Sequence, residues 1–415
     1  MSGGDGRGQG APVAPRVAAA WVARRLREAG FRALFAGGCV RDTLLGLEAA
    51  DYDVATDASP EEVRGVFPRA IGVGESFGVM LVRHGGRSVE VATFRADGSY
   101  ADGRRPEGVR FTDDREDALR RDFTVNGMFE DPESGEVIDH VGGRADLEAR
   151  VLRAIGVPEE RMREDRLRTL RAARFAARFS LAVDPATETA VRRFAGDLAA
   201  VSRERIGNEV RRMLSHPTRA RAASLVEDLG LAAAVLLEPP AVPDLSILAA
   251  LPPGAGLEES LAAWMLGRPG PGGGPDLSAA RQRAWRDALV LSNGESDLLA
   301  AILLQLRRIP SEWPSADRAG RKRLAAAAGF RGALAILRAA GNPAADAVAA
   351  DLPPLEAEGL SPAPFVTGDD LVALGMSPGP AFRPLLDRAY DLQLNGTVRD
   401  RAAALVAVRS WIPAS

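Results

Sequence analysis

The sequence is short of cysteine, histidine, lysine and long apolar runs, and all but the scarcity of lysine remove a class of chemistry. Cys39 is the only cysteine in 415 residues, so neither a disulfide framework nor a cysteine-ligated zinc site is available. The three histidines, His84, His140 and His216, show no metal-ligand spacing. Lys322 is the only lysine, and arginine supplies the remaining positive charge. No apolar run reaches the length of a membrane span, and the N-terminus has no signal-peptide core. The expectation is a cytoplasmic protein that makes no use of a membrane.

What is present fits a globular chain. Hydrophobic residues at 46% and charged residues at 26% are the proportions of a soluble protein, and 415 residues fill two to four domains. A net charge of −3 argues against a uniformly basic nucleic-acid binder. The average conceals an asymmetry, because residues 151–220 hold 15 Arg against 9 acidic residues. That stretch fits a polyanion track or a solvated helical surface, and charge alone does not choose.

The rest is organised around residues 36–57, AGGCVRDTLLGLEAADYDVATD. An apolar run ending at Ala36 meets Gly37-Gly38, and residues 39–45 read as a helix stopped by Gly46. Paired glycines between a strand and a helix let backbone N–H groups approach an anion, and Arg41 stands in the first turn with a guanidinium fork suited to phosphate. Asp51 and Asp53, two apart, would share one face of an extended strand while Tyr52 and Val54 face a core. Two carboxylates side by side repel unless a cation sits between them, and Mg²⁺ selects such oxygen ligands. Either half alone fits an ordinary strand–turn–helix with a solvated acidic edge; both together, in this order, favour a phosphate turn feeding a metal site.

Further along, Ser59-Pro60-Glu61-Glu62 is a capping box with proline at the first helical position. Residues 79–83 and 88–93 read as a hairpin around Gly85-Gly86, with Glu90 facing away from Val89 and Val91. Glu90 thereby repeats the placement of Asp51 and Asp53. Residues 97–115 are polar and glycine-rich and read as a mobile loop. In residues 120–126, RRDFTVN, Phe123 and Val125 anchor a charged edge. Residues 163–179, REDRLRTLRAARFAARF, contain no helix breaker, so they read as one helix with Asp165, Arg168, Ala172 and Phe179 on a single strip. Asp165 and Arg168 there are either an intrahelical salt bridge or a pair presenting hydrogen-bonding edges to a nucleobase. Beyond Asp184 the sequence is helical almost throughout, with Pro/Gly-rich stretches at 238–256 and 267–275 marking a boundary or a surface insertion.

These strings resemble one family. GGCVRDTLLG and DYDVAT look like the nucleotidyltransferases of the polymerase β superfamily, more narrowly the class II tRNA nucleotidyltransferases (CCA-adding enzymes) and the related bacterial poly(A) polymerases. EVATFR at Glu90 is similar to the third-carboxylate motif, RRDFTVN to a motif whose second arginine contacts nucleotide, and REDRLRTLRAARF to an amino-acid template motif. VSRERI at residues 201–206 and the stretch 368–396 are similar to later segments of the family, though Phe382-Arg383 stands where a glycine is usual.

The resemblance implies an α/β nucleotidyltransferase head with a mixed β-sheet at 16–150, after a disordered start at 1–15. All-α neck (151–235), body (236–350) and tail (351–415) domains would follow. It implies template-independent addition of CMP and AMP from CTP and ATP to tRNA 3′ ends, with release of pyrophosphate. Asp51 and Asp53 would bind Mg²⁺ with Glu90 assisting. Gly37, Gly38 and Arg41 would hold the triphosphate, Arg121 the ribose side, and Asp165, Arg168, Arg171 and Arg174 would serve the base end. A poly(A) polymerase or an enzyme adding only A would share the head; the loop at 97–115, kept here, weighs against one adding only CC. A non-catalytic RNA-binding protein on the same fold is the remaining alternative.

Overall fold

A computed structural model describes residues 12–74, 77–97, 109–270 and 272–412. The disorder expected at 1–15 falls mostly outside them, and helix α1 (Pro15–Glu28) already starts at Pro15. Its Ala18, Ala19, Val22, Ala23 and Leu26 repeat at helical spacing and are buried, so α1 lays an apolar stripe on the sheet. Strand β1 (Ala33–Ala36) is buried along its whole length, as a central strand should be. It leads through Gly37 into α2 (Gly38–Leu44).

Strand β2 (Asp53–Thr56) returns antiparallel to β1, with Ala36 opposite Asp53. This corrects one expectation: the strand starts at Asp53, and Asp51 lies in the segment before it. The capping box forms as the sequence predicts. Ser59 accepts from the Glu62 amide and Glu62 accepts from the Ser59 amide, opening α3 (Pro60–Val66). Strands β3 (Ile71–Gly74), β4 (Val79–His84) and β5 (Arg87–Thr93) follow, the last two a hairpin whose Gly85 and Gly86 both take positive φ.

The described ends of the 97–115 stretch are regular structure. β6 (Arg95–Asp97) and β7 (Val109–Phe111) pair antiparallel, and α4 (Asp114–Leu119) follows. Its remaining residues, 98–108, lie outside the described ones. A single 3₁₀ turn, Thr124–Asn126, leads to β8 (Met128–Glu130), paired with β1 on its other side, and then to β9 (Val137–Asp139). The strand order is β3-β4-β5-β2-β1-β8-β9, and the β2–β5 pair is parallel while the other neighbours are antiparallel. The mixed sheet of the expected head is therefore present.

After α5 (Gly143–Glu148), β10 (Val151–Leu152) pairs in parallel with β11 (Ala182–Val183), bracketing α6 (Pro158–Glu164) and α7 (Leu167–Arg178). The single helix predicted over 163–179 is thus broken in two. Its break is Asp165, which takes extended backbone angles of φ −139° and ψ 104°. Among the described residues, every later regular element is helical, from α8 (Pro185–Arg193) and α9 (Arg203–Leu214) to Arg401–Arg409.

The chain divides into two units, one of Met1–Glu209 with Leu225–Glu238 and one of Val210–Ser224 with Pro239–Ser415. Within the second, Trp264 packs edge-on against Trp285, and Trp313 donates its indole N–H to Asp351 at 3.0 Å. Nearer its end, Val366, Leu371, Ala389, Val398, Ala404 and Val408 form a separate small core, against which Phe382 packs.

Candidate active site

The carboxylates gather where β2 begins, beside the middle of β5. Val54 is registered with Val91 across the parallel pair, so Glu90 on β5 stands beside Asp53 on β2. Val54 and Val91 are buried on one face, while Asp53 and Glu90 open on the other. Asp53 keeps one side to solvent, but the protein around it pushes its carboxyl up to about 6. Burial is the main cause; Glu90 and then Asp51 add to it, and Arg121 opposes it. Asp51 therefore acts on Asp53 electrostatically although it lies outside the strand. It also lines a second cavity of about 330 Å³ with Tyr52, Arg87 and Ser88.

This donor set fits a hard divalent cation: carboxylate oxygens held together at a mutual electrostatic cost that a cation relieves. Among the described residues, no three His, Cys, Asp or Glu side chains form a metal-holding group. Mg²⁺ commonly needs only one or two carboxylates, with substrate phosphate and water completing its shell. Cys39, next along the chain from the glycine turn, is buried with its thiol pushed up to about 11, which keeps it protonated.

A cavity of about 440 Å³ collects most of the other candidates. Gly37, Gly38, Arg41, Arg121, Asp165, Arg168 and Arg171 all line it. Arg174 does not: its Nε donates to Glu209 and its guanidinium lies 4.1 Å from the Phe175 ring centre.

The glycine turn has a steric reason. Gly37 sits at φ +71°, and a Cβ there would come within 2.7 Å of Arg121 Nη1. Arg121 is aimed by two hydrogen bonds to Asp117, at 3.1 and 2.9 Å, and so is held against the turn. Arg41 departs from the open phosphate fork expected of it. It is 5% exposed, bonded to Asp42 at 2.8 and 2.6 Å and to Asn126 Oδ1, and stacked 4.0 Å from the Phe179 ring centre. Desolvation holds its pKa below the usual guanidinium value. Arg41 still borders the cavity, but as a clamped side chain.

At the other end, Asp165 and Arg168 do not pair through their side chains. Asp165 Oδ1 accepts from the Leu167 amide at 3.1 Å, opening α7, and its Oδ2 accepts from Arg205 at 2.8 Å. Arg168 donates to Glu164 at 2.6 Å and to the carbonyls of Arg161 and Arg120 at 2.9 and 3.2 Å. The intrahelical salt bridge weighed from the sequence is replaced by two separate sets of partners. Arg171 reaches across to Asp122, whose other oxygen accepts from Asn126 Nδ2 at 3.0 Å. A continuous hydrogen-bonded chain thus runs Arg171–Asp122–Asn126–Arg41–Asp42.

Known proteins share this arrangement of sequence and fold. Residues 33–153 match the model of the poly A polymerase head domain, and residues 180–244 match that of a probable RNA and SrmB-binding site of polymerase A. A CCA-adding enzyme of Lactobacillus delbrueckii subsp. bulgaricus is 34% identical over 397 residues, covering 92% of this chain and 95% of that protein. The chain belongs to the CCA-adding enzyme family. A solved family member, the Bacillus stearothermophilus CCA-adding enzyme in complex with CTP, superposes with a TM-score of 0.75 at 31% identity, over 96% of this chain and 98% of that one. Identity is higher with the Geobacillus stearothermophilus CCA-adding enzyme, 44% over 211 residues, but that match spans 52% of the relative. The chain spans about half the length of the first curated relatives it matches.

Among the cavity-lining residues of this family member, Arg120, Asp122, Asn126, Leu167, Phe175 and Arg205 escape the sequence reading as site residues. Asn126 and Phe175 sit inside strings already singled out, so proximity to charged candidates was their only signal. Arg205 lies 40 positions from its partner Asp165, and nothing local connects the two.

Proposed function

We propose that this chain is a template-independent CCA-adding tRNA nucleotidyltransferase, transferring CMP and AMP from CTP and ATP to tRNA 3′ ends with release of pyrophosphate. The observation that carries the reading is the cavity of about 440 Å³. It joins the glycine turn, Arg121 and the Asp165–Arg168 segment in one space, in a family member matched along nearly its whole length. A poly(A) polymerase would share the head, but the full-length likeness to CCA-adding enzymes favours CCA addition.

In this reading Asp51 and Asp53, with Glu90 assisting, hold Mg²⁺, which supplies activation of the attacking 3′-hydroxyl and charge neutralisation at the phosphates. The chain's own groups do the rest. Gly37 and Gly38 let the triphosphate approach the backbone, Arg41 borders it with positive charge that costs no reorganisation on binding, and Arg121 meets the ribose side. Asp165 and Arg168 meet the base edge, with Arg171 beside them, and Arg174 shares Glu209 with Arg171. The neck at 151–235 carries base recognition, tRNA is held by its shape and backbone along the Arg-rich helical half, and the tail (351–415) takes part in binding it. No described helix is long and apolar enough to cross a membrane, and a cytoplasmic location suits the tRNA substrate.

The deciding experiment incubates the protein with tRNA lacking its terminal CCA and one labelled nucleotide at a time, then both. CCA addition requires CMP incorporation alone, AMP only after CMP, and a product that stops at three residues. A growing A tail would mark a poly(A) polymerase instead.

A further inference from the structure

The carboxylate proposed to read the base is not held by its own helix. Asp165 sits in the break between α6 and α7, with extended backbone angles, so helical geometry does not fix where its side chain points. Two donors do. The Leu167 amide takes Oδ1 at 3.1 Å and Arg205 Nη2 takes Oδ2 at 2.8 Å. The first is local and follows the chain wherever the break goes. The second comes from α9, 40 positions away, and ties the carboxylate to a separate helix. Arg205 itself borders the cavity, and its side chain is 25% exposed. Among the described residues, Asp165 is the only side chain with which it forms a hydrogen bond or ion pair.

We propose that Arg205 is a specificity-determining positioning residue: it fixes the Asp165 carboxylate in the orientation that accepts a base amino group. The inference rests on Asp165 reading the base. A carboxylate with one donor on each oxygen retains a lone pair on each for a further partner, in a direction the existing bonds set. Without Arg205, Oδ2 loses its donor and the carboxylate turns about the Leu167 bond. Arg168, three positions on, becomes a competing partner for it. The base amino group of cytosine or adenine then meets an acceptor in no fixed place. Uracil, which presents a carbonyl there, is penalised less. The effect falls on discrimination more than on triphosphate affinity, since the glycine turn and Arg121 are untouched.

The test measures kcat/KM for CTP and UTP on matched tRNA ends in the wild type, Arg205→Ala, Arg205→Lys and Asp165→Ala. Thermal unfolding of each variant checks the fold. For Arg205→Ala the expected result is a CTP-over-UTP ratio reduced roughly ten-fold, carried by the CTP value. Arg205→Lys, which restores a charged donor, should recover part of the ratio. A further variant carrying both alanines should be no less selective than Asp165→Ala alone, because Arg205 acts through Asp165. Equal weakening of CTP and UTP in Arg205→Ala would overturn the inference and make Arg205 a plain phosphate or shape contact. An unchanged ratio in Arg205→Ala beside a reduced one in Asp165→Ala would overturn it while leaving base reading by Asp165 intact. An unchanged ratio in Asp165→Ala would remove base reading itself, and this inference with it.

Discussion

Asp122 and Arg171 are joined by two hydrogen bonds, at 2.9 and 2.6 Å, both onto Asp122 Oδ2. Asp122 precedes the 3₁₀ turn at Thr124–Asn126, and Arg171 lies on α7, so the pair fastens the segment beside the sheet to the helix that carries the base-end candidates. The opposite oxygen is occupied as well, by the Phe123 amide at 2.8 Å and Asn126 at 3.0 Å. Burial alone would raise the Asp122 pKa, but the Arg171 charge and these donors outweigh it and hold the carboxyl down at about 2.

Asp122→Ala should therefore destabilise the protein by about 3 kcal/mol, the low end for a broken buried pair. The low end applies because Glu209, 4.0 Å from Arg171, takes up part of the stranded charge. Since the folded pKa is depressed, the stabilisation is full above the unfolded value near 4 and disappears as pH falls toward 2. Denaturant titrations at pH 7 and near pH 3 check both: the difference between wild type and Asp122→Ala must shrink at the lower pH.

Asp53 carries the opposite sign. Its folded pKa of about 6 exceeds the unfolded value of about 3.9, so without a cation its contribution is most favourable below pH 4 and is lost as pH rises through 6. In metal-free protein, Asp53→Asn should gain thermal stability relative to wild type across that window. Protons and Mg²⁺ compete for the same oxygens, so Mg²⁺ affinity should fall below pH 6, by up to about tenfold per unit. Calorimetric titration at pH 5 and pH 7.5 checks it. Asp53→Ala should lower nucleotide incorporation by at least about a thousand-fold while tRNA binding persists.

How far the sequence discloses this site depends on how local each feature is. The Ser59–Glu62 capping box and the Gly85-Gly86 hairpin involve residues within a few positions of each other, and both form as read. The break at Asp165 has no glycine or proline to announce it. An Asp side chain that bonds the amide two positions on, with Arg205 beyond it, competes with continued helix there. Arg41 reads as an exposed fork because Phe179 and Asn126, which bury it, lie 138 and 85 positions away. Tertiary partners at such separations leave no periodic trace.

Gly37→Ala tests the turn directly. The added methyl would stand 2.7 Å from Arg121 Nη1, at a φ of +71° that alanine disfavours. With ψ at −118° the residue lies outside even the left-handed helical region, so backbone strain alone costs about 1–3 kcal/mol, and Arg121 must also leave its place against Asp117. Tm should fall by a few degrees, and CTP and ATP should lose affinity by similar factors, because the turn meets no base. Equilibrium nucleotide binding with both ligands measures this. A loss confined to one nucleotide would contradict a triphosphate role for the turn.

The last prediction separates base choice from phosphate grip. Cytosine and adenine each place an exocyclic amino donor beside a ring-nitrogen acceptor, whereas uracil and guanine present the reverse. Asp165 offers an acceptor and Arg168 a donor, both on the wall of one cavity. Arg168 is already fixed before a base arrives. Glu164 and the Arg161 and Arg120 carbonyls hold its guanidinium at 2.6, 2.9 and 3.2 Å, so little freedom is lost on binding. A mismatched base leaves a buried polar group without a partner, at roughly 1–3 kcal/mol, or about ten- to a hundred-fold. Arg168→Ala should thus reduce the CTP-over-UTP and ATP-over-GTP ratios of kcat/KM by about that factor. Arg41→Ala, which removes charge beside the glycine turn, should instead weaken all four nucleotides alike. Should Arg168→Ala lower all four equally, its guanidinium would serve only to brace α6 against the Arg120 segment, and base selection would have to lie elsewhere in the cavity.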